Sequence, residues 1–243
     1  MDLGTAFGLL LGIGLISIGI VSNNGNLMWF VNPNSLLIVM GGTFAATLVN
    51  YPLRNIQSLL KIASTAFTRQ DISQEDIIDE LVKKAEMARK KGVLSLEKEL
   101  PKVKDKFLRD WLDLAINERD PSRLRNYLEL ELSNVERRHS LGQEIFLYMG
   151  AYAPAFGMLG TVLGLIIMMK TFAITQSSDM GGMEFNIAEK FADLLGGMGL
   201  ALITTFYGVL LSNLLFLPLA GKLKRKSEEE LMVMDIMVEG VIG

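Results

Sequence analysis

Four long apolar stretches, Leu3 to Val21, Ser35 to Tyr51, Ile145 to Met169 and Phe191 to Leu217, restrict what this 243-residue chain can fold into. A helix crossing the hydrocarbon core of a bilayer takes roughly 20 apolar residues, and each stretch is read as one such span. The first two carry no charge, and the last is interrupted only by Asp193 near one end. Asp2 stands where a signal peptide would have basic residues, and no small-x-small cleavage site follows, so Leu3 to Val21 is expected to be retained. Half of all residues are hydrophobic, with a mean hydropathy of +0.33, which suits a protein partly in lipid. The formal net charge of −3 leaves no footprint for nucleic acid. Cysteine is absent, which excludes disulfides and thiolate metal sites.

Orientation follows from the basic residues. The link "SNNGNLMWFVNPN" has none, and the link around residues 170–190 has only Lys170 and Lys190. Eighteen of the 24 basic residues lie between Arg54 and Arg138, and four more sit in "KLKRK" after the last span. Both termini and the central region are therefore expected in the cytoplasm, with two short loops outside. The predicted fold class is all-α: a polytopic membrane protein with four transmembrane helices and a helical cytoplasmic domain inserted between the second and third. Its parts are a first transmembrane hairpin (1–52), the cytoplasmic domain (53–143), a second, pore-lining hairpin (144–220) and a cytoplasmic tail (221–243).

The central region holds 18 basic and 16 acidic side chains. "DISQEDIIDELVKKAEMARKKG" has the period of an amphipathic helix, with Ser73 as N-cap, Ile77, Ile78, Leu81, Val82 and Ala85 as its apolar face, and Gly92 as its stop. "DKFLRDWLDLAINER" predicts a second. Asp120-Pro121 supplies a cap and a first-turn proline, and no breaker follows before Gly142. The helix starting there is expected to continue into the third span, as an element able to carry torque or displacement.

Enzyme signatures are missing. There is no phosphate-cradling loop and no dinucleotide fingerprint, and His139 is the only histidine, read as an ordinary juxtamembrane side chain. Attention falls instead on "APAFGMLGTVLGLIIMMK". Gly157, Gly160 and Gly164 follow i, i+3, i+7 spacing and share one helix face, and small residues let membrane helices approach closely. A second small-residue patch, "GGMGLALITTFYG", lies in the fourth span beside Thr204 and Thr205. If both spans line one path, Thr161 and Thr204 or Thr205 could offer oxygens to a partly dehydrated cation. Each threonine could equally bond back to its own helix or to a neighbour. No carboxylate sits near the middle of any span. If the chain moves ions, the ion-binding carboxylate belongs to another subunit.

"APAFGMLGTVLGL" and "GLALITTFYGVLLSNLLFLPLAGKL" closely resemble the third and fourth spans of the MotA/PomA stator proteins of the bacterial flagellar motor, and "MDLGTAFGLLLG", "LLIVMGGTFAATLV" and "ARKKGVLSLEKEL" extend the resemblance. The resemblance implies a homopentamer in the bacterial inner membrane around a MotB/PomB-like partner. That partner has one span carrying the ion-binding aspartate and a peptidoglycan-binding domain. Ion flow would turn the ring, and the cytoplasmic part would contact the rotor protein FliG. Carried over, the rotor-contact residues match Arg89 and Glu97, with Lys90 beside them, and the conformational prolines match Pro154 and Pro218. Surface charge pairs are weak, about 0–1 kcal/mol each, so such contacts can exchange as a rotor passes. Proline inside a helix frees a carbonyl and bends the axis, giving either a hinge or a static kink.

The threonine pattern "LITTFYG" resembles the sodium-driven branch, and hydroxyl oxygens are suitable hard ligands for Na+, so Na+ is favoured over H+. Some relatives carry an acidic residue where Ala151 stands here. No cofactor is expected beyond the transported ion. Two other readings remain: a TolQ/ExbB-like energiser of the outer membrane, and a non-transporting membrane scaffold whose threonines only glue helices.

Overall fold

The computed structural model describes residues 3–67, 74–103, 105–118, 120–178 and 187–243. Every regular element among these residues is helical, and four helices are long and apolar enough to cross a membrane. The chain divides into two compact units. One comprises Met1–Phe67 with Gly142–Gly221, the other Thr68–Leu141 with Lys222–Gly243.

In the first unit, the first span runs Leu3–Ser22. Its end is closed by Gly25 N–H donating to Ile20 O and Asn24 N–H to Val21 O, with Asn24 in the left-handed region at φ 57°. This Schellman arrangement satisfies carbonyls that would otherwise end the helix unpaired, and asparagine tolerates the left-handed position better than most residues. The second span opens at Pro33, with Asn32 Oδ1 accepting from Ser35 N–H at 3.0 Å. It widens into a π-helical turn at Leu37–Gly41 and continues as Gly42–Asn50 until Pro52 prevents further helix. On its buried face Thr43 and Thr47 are wholly inaccessible, and each hydroxyl donates to the carbonyl four residues back at 2.7 Å. Back-bonding of this kind lets a hydroxyl sit in an apolar interior without a foreign partner.

The third span belongs to a helix of 58 residues, Pro121–Ser178, which continues through both Gly142 and Pro154. Asp120 caps its start: Oδ1 accepts from Ser122 N–H at 2.9 Å. The fourth span, Ile187–Leu210, passes through a π-helical turn at Leu211–Phe216 into the helix Leu217–Ile242. The expected cap Ser73 lies outside the described residues, as does the link at 179–186 and the side chain of Asp193.

The second unit has its own core. The helix Gln74–Lys91 ends at Gly92, whose φ of 82° only glycine adopts without strain. Lys106–Asn117 is capped by Asp105, whose Oδ1 accepts from Leu108 N–H. Ile77, Leu81, Leu96, Leu108, Trp111 and Leu128 pack together, and the C-terminal helix adds Val233, Met234, Met237 and Val238. The tail is thus part of this core. Trp111 is 1% exposed and its indole N–H donates to Glu131 Oε2 at 2.7 Å. Arg125 clamps Glu239 of the tail helix with two bonds of 2.7 and 3.0 Å.

The apolar face of Gln74–Lys91 is rotated from the expected one. Ile77, Leu81 and the stem of Lys84 are buried, whereas Ile78 and Val82 are 44% and 52% exposed and Ala85 is exposed. Lys84 reaches the edge of the core to meet Glu99 at 3.5 Å. A long side chain can bury its stem while its ammonium finds a carboxylate, so period alone misplaced the face by one residue.

Candidate ion-path and hinge site

The glycines of the third span form a contact face. A Cβ on Gly157 would stand 3.0 Å from Thr204 O, 3.2 Å from Thr205 Cα and 3.3 Å from Gly208 Cα. One on Gly164 would meet Ala201 N and Cβ at 3.0 Å, and one on Gly160 would strike the Thr204 side chain at 2.5–2.6 Å. The fourth span reciprocates. A Cβ on Gly208 would come within 2.7 Å of Ala153 O and 3.1 Å of Pro154 Cα. The two spans therefore meet backbone to backbone along this stripe, the geometry that small residues permit in lipid. There is no hollow between them here.

The three threonines are placed differently. Thr204 is fully buried against Gly160, with its hydroxyl donating to Ala201 O at 2.8 Å. Thr161 is half-buried and donates to Met158 O of its own helix. Thr205 is also half-buried, and its hydroxyl points at Gly157 O across a long 3.5 Å. A hydroxyl that donates its proton to a carbonyl keeps its oxygen lone pairs. Thr161 and Thr205 thus combine partial exposure with an oxygen able to take a cation.

Both prolines sit at helix defects. Pro154 lies inside Pro121–Ser178, where it has no N–H for the carbonyl of Gly150. Pro218 stands two residues after the π-helical turn ends, and Leu217 N–H between them donates to Ser212 O, five residues back. A widened turn before a proline relieves the clash between its ring and the preceding carbonyls. Residues absent from the sequence-based set complete the region. Ser212 is buried and its hydroxyl donates to Gly150 O at 2.6 Å. Tyr207 OH donates to Phe30 O and accepts from Asn32 N–H at 3.0 Å, tying the first hairpin's loop to the fourth span. Gly208, next in sequence, had only its place in "FYG" to single it out.

In the second unit Arg89, Lys90 and Glu97 are all exposed. Lys90 pairs with Glu86 at 3.2 Å, while Arg89 and Glu97 have no ion-pair partner among the described residues. Nearby, a hydrogen bond from Lys102 at 2.7 Å holds the Glu99 carboxyl below the usual carboxylate range. His139 Nδ1 lies 3.1 Å from the buried Ser227 hydroxyl, a local structural contact.

Two family models match the chain. Residues 99–236 match the MotA/TolQ/ExbB proton channel family, and residues 6–92 match the motility protein A N-terminal domain. The chain belongs to the MotA/TolQ/ExbB family. It is 32% identical to a motility protein A of Borreliella burgdorferi, over the whole chain and 87% of that protein. It is 31% identical to the chemotaxis protein PomA of Vibrio alginolyticus, over the whole chain and 88% of that protein. A subunit in the structure of the flagellar MotAB stator complex from Bacillus subtilis superimposes with a TM-score of 0.82 at 29% identity, covering 98% of this chain and 87% of that one. The full-length match, N-terminal domain included, identifies a membrane-spanning flagellar stator subunit of the ion-channel type. This is a channel family and not an enzyme class.

Proposed function

We propose that this chain forms a ring, five copies as the family resemblance implies, in the bacterial inner membrane around a MotB/PomB-like single-span partner. The ring couples inward flow of Na+, with H+ the alternative, to rotation of the flagellar rotor. The chain does no covalent chemistry. The observation that carries this reading is the glycine stripe, which closes the third span on the fourth and leaves Thr161 and Thr205 half-buried at its edge. The oxygens are there, the mid-membrane acid is not, and the partner supplies it. Basic residues concentrated between Arg54 and Arg138 and in "KLKRK" support cytoplasmic termini. Arg89 and Glu97, exposed and unpaired among the described residues, are available for the rotor protein FliG. The N-terminal domain match over residues 6–92 favours this reading over a TolQ/ExbB-like energiser.

Swimming speed against external Na+ concentration, at fixed proton motive force, tests the ion. Speed should rise with Na+ and saturate, and Thr205→Ala should weaken that dependence while membrane insertion stays intact. Speed that ignores Na+ contradicts the sodium assignment. Na+ dependence unchanged in both Thr161→Ala and Thr205→Ala supports the scaffold reading of the threonines.

A further inference from the structure

The hinge prolines are separated by 64 residues of sequence, yet the groups they disturb are bonded to each other. Pro154 cannot donate to Gly150 O, and in a membrane-spanning unit no water reaches that buried carbonyl readily. Its donor is the hydroxyl of Ser212, 3% exposed, at 2.6 Å. Ser212 in turn lies in the π-helical turn that precedes Pro218, and its own carbonyl accepts the π-type bond from Leu217 N–H. Glycines bring the elements together at both ends of this junction. A Cβ on Gly150 would stand 2.6 Å from Leu217 Cδ2, and one on Gly208 would stand 2.7 Å from Ala153 O.

We propose that Ser212 is a positioning residue that joins the two proline defects into one hinge: its hydroxyl replaces the amide proton that Pro154 lacks. The third-span backbone around Pro154 then cannot shift without moving the fourth-span π turn. Displacing the Gly150 carbonyl breaks the Ser212 bond, and restoring ordinary α-helix at Leu211–Phe216 carries the hydroxyl away from it. An ion-driven change at either proline is thereby delivered to both spans. This rests on the stator reading for its purpose, but the bond itself can be tested apart from it.

The test is a double-substitution cycle in the full chain, purified with its partner. Ser212→Ala should lower the thermal unfolding midpoint by roughly 2–4 °C, because it leaves a buried carbonyl unpaired. Pro154→Ala restores the N–H for Gly150 O, so adding Ser212→Ala to that variant should cause no further loss. In cells, stators carrying Ser212→Ala should join the motor normally but turn it more slowly per stator unit. No effect on the midpoint, or an equal effect in both backgrounds, overturns the assignment of the hydroxyl to that carbonyl. Normal speed per unit despite the expected cycle overturns the positioning role. Failure of the stator reading would show separately, as wild-type chain and partner that turn no motor while the cycle still closes.

Discussion

Replacing Gly208 by alanine tests the backbone-to-backbone seam. The new methyl would lie 2.7 Å from Ala153 O and 3.1 Å from both Gly157 Cα and Pro154 Cα. Ordinary contact needs about 3.4 Å or more, so the helices must part by roughly 0.7 Å at the Ala153 carbonyl. All three neighbours are backbone atoms, and no rotamer change relieves them. Overpacking of this kind costs about 1–3 kcal/mol, against a gain of roughly 0.5–1 kcal/mol from alanine's better helix propensity. Gly199, in the same helix, is the control, because its Cβ would meet nothing within 4 Å. There the propensity gain acts alone. The Gly208→Ala subunit in detergent should therefore melt below the Gly199→Ala subunit by several degrees, at roughly 2–4 °C per kcal/mol. Equal midpoints would mean that the spans do not touch as described.

Trp111→Ala should destabilise the second unit by about 3–5 kcal/mol, since the ring is 1% exposed and Glu131 loses its indole partner; chemical denaturation measures this. Arg125 holds the Glu239 carboxyl below its ordinary value of 4.5, so that pair contributes stability above this pH and loses it as pH falls through the depressed value. The melting difference between wild type and Glu239→Gln should accordingly be present at neutral pH and shrink as the pH falls below the ordinary carboxylate range. Reversing Arg89 or Glu97 should reduce torque in tethered cells while leaving the number of assembled stators unchanged; normal torque in both reversals would make these residues plain solvated surface.

Hydropathy and capping rules made most of the fold legible. Run length located the spans, Gly92 closed its helix, and Asp120-Pro121 opened the one that passes through Gly142. Register and side-chain reach were harder. Lys84 took the buried position that Val82 was expected to share, because an aliphatic stem can line a core that period reserves for apolar residues. The tail looked like charge after a span, yet Val233, Met234, Met237 and Val238 recur at helical spacing and fill the core of the second unit. At the candidate site, glycine spacing pointed to the seam, but one helix alone does not show which threonine faces in. Thr204 fell against Gly160, while Thr161 and Thr205 kept partial exposure. Ser212 was hidden because its significance depends on a carbonyl 62 residues away that a proline leaves unserved.

The central claim, that this chain supplies oxygens along a route whose acid comes from another subunit, is tested most directly by ion flux into liposomes. Vesicles holding the folded chain alone should admit neither Na+ nor H+ above the lipid background, and those holding the chain with its partner should admit the driving ion. Flux through the chain alone, equal to that of the complex, would contradict the account.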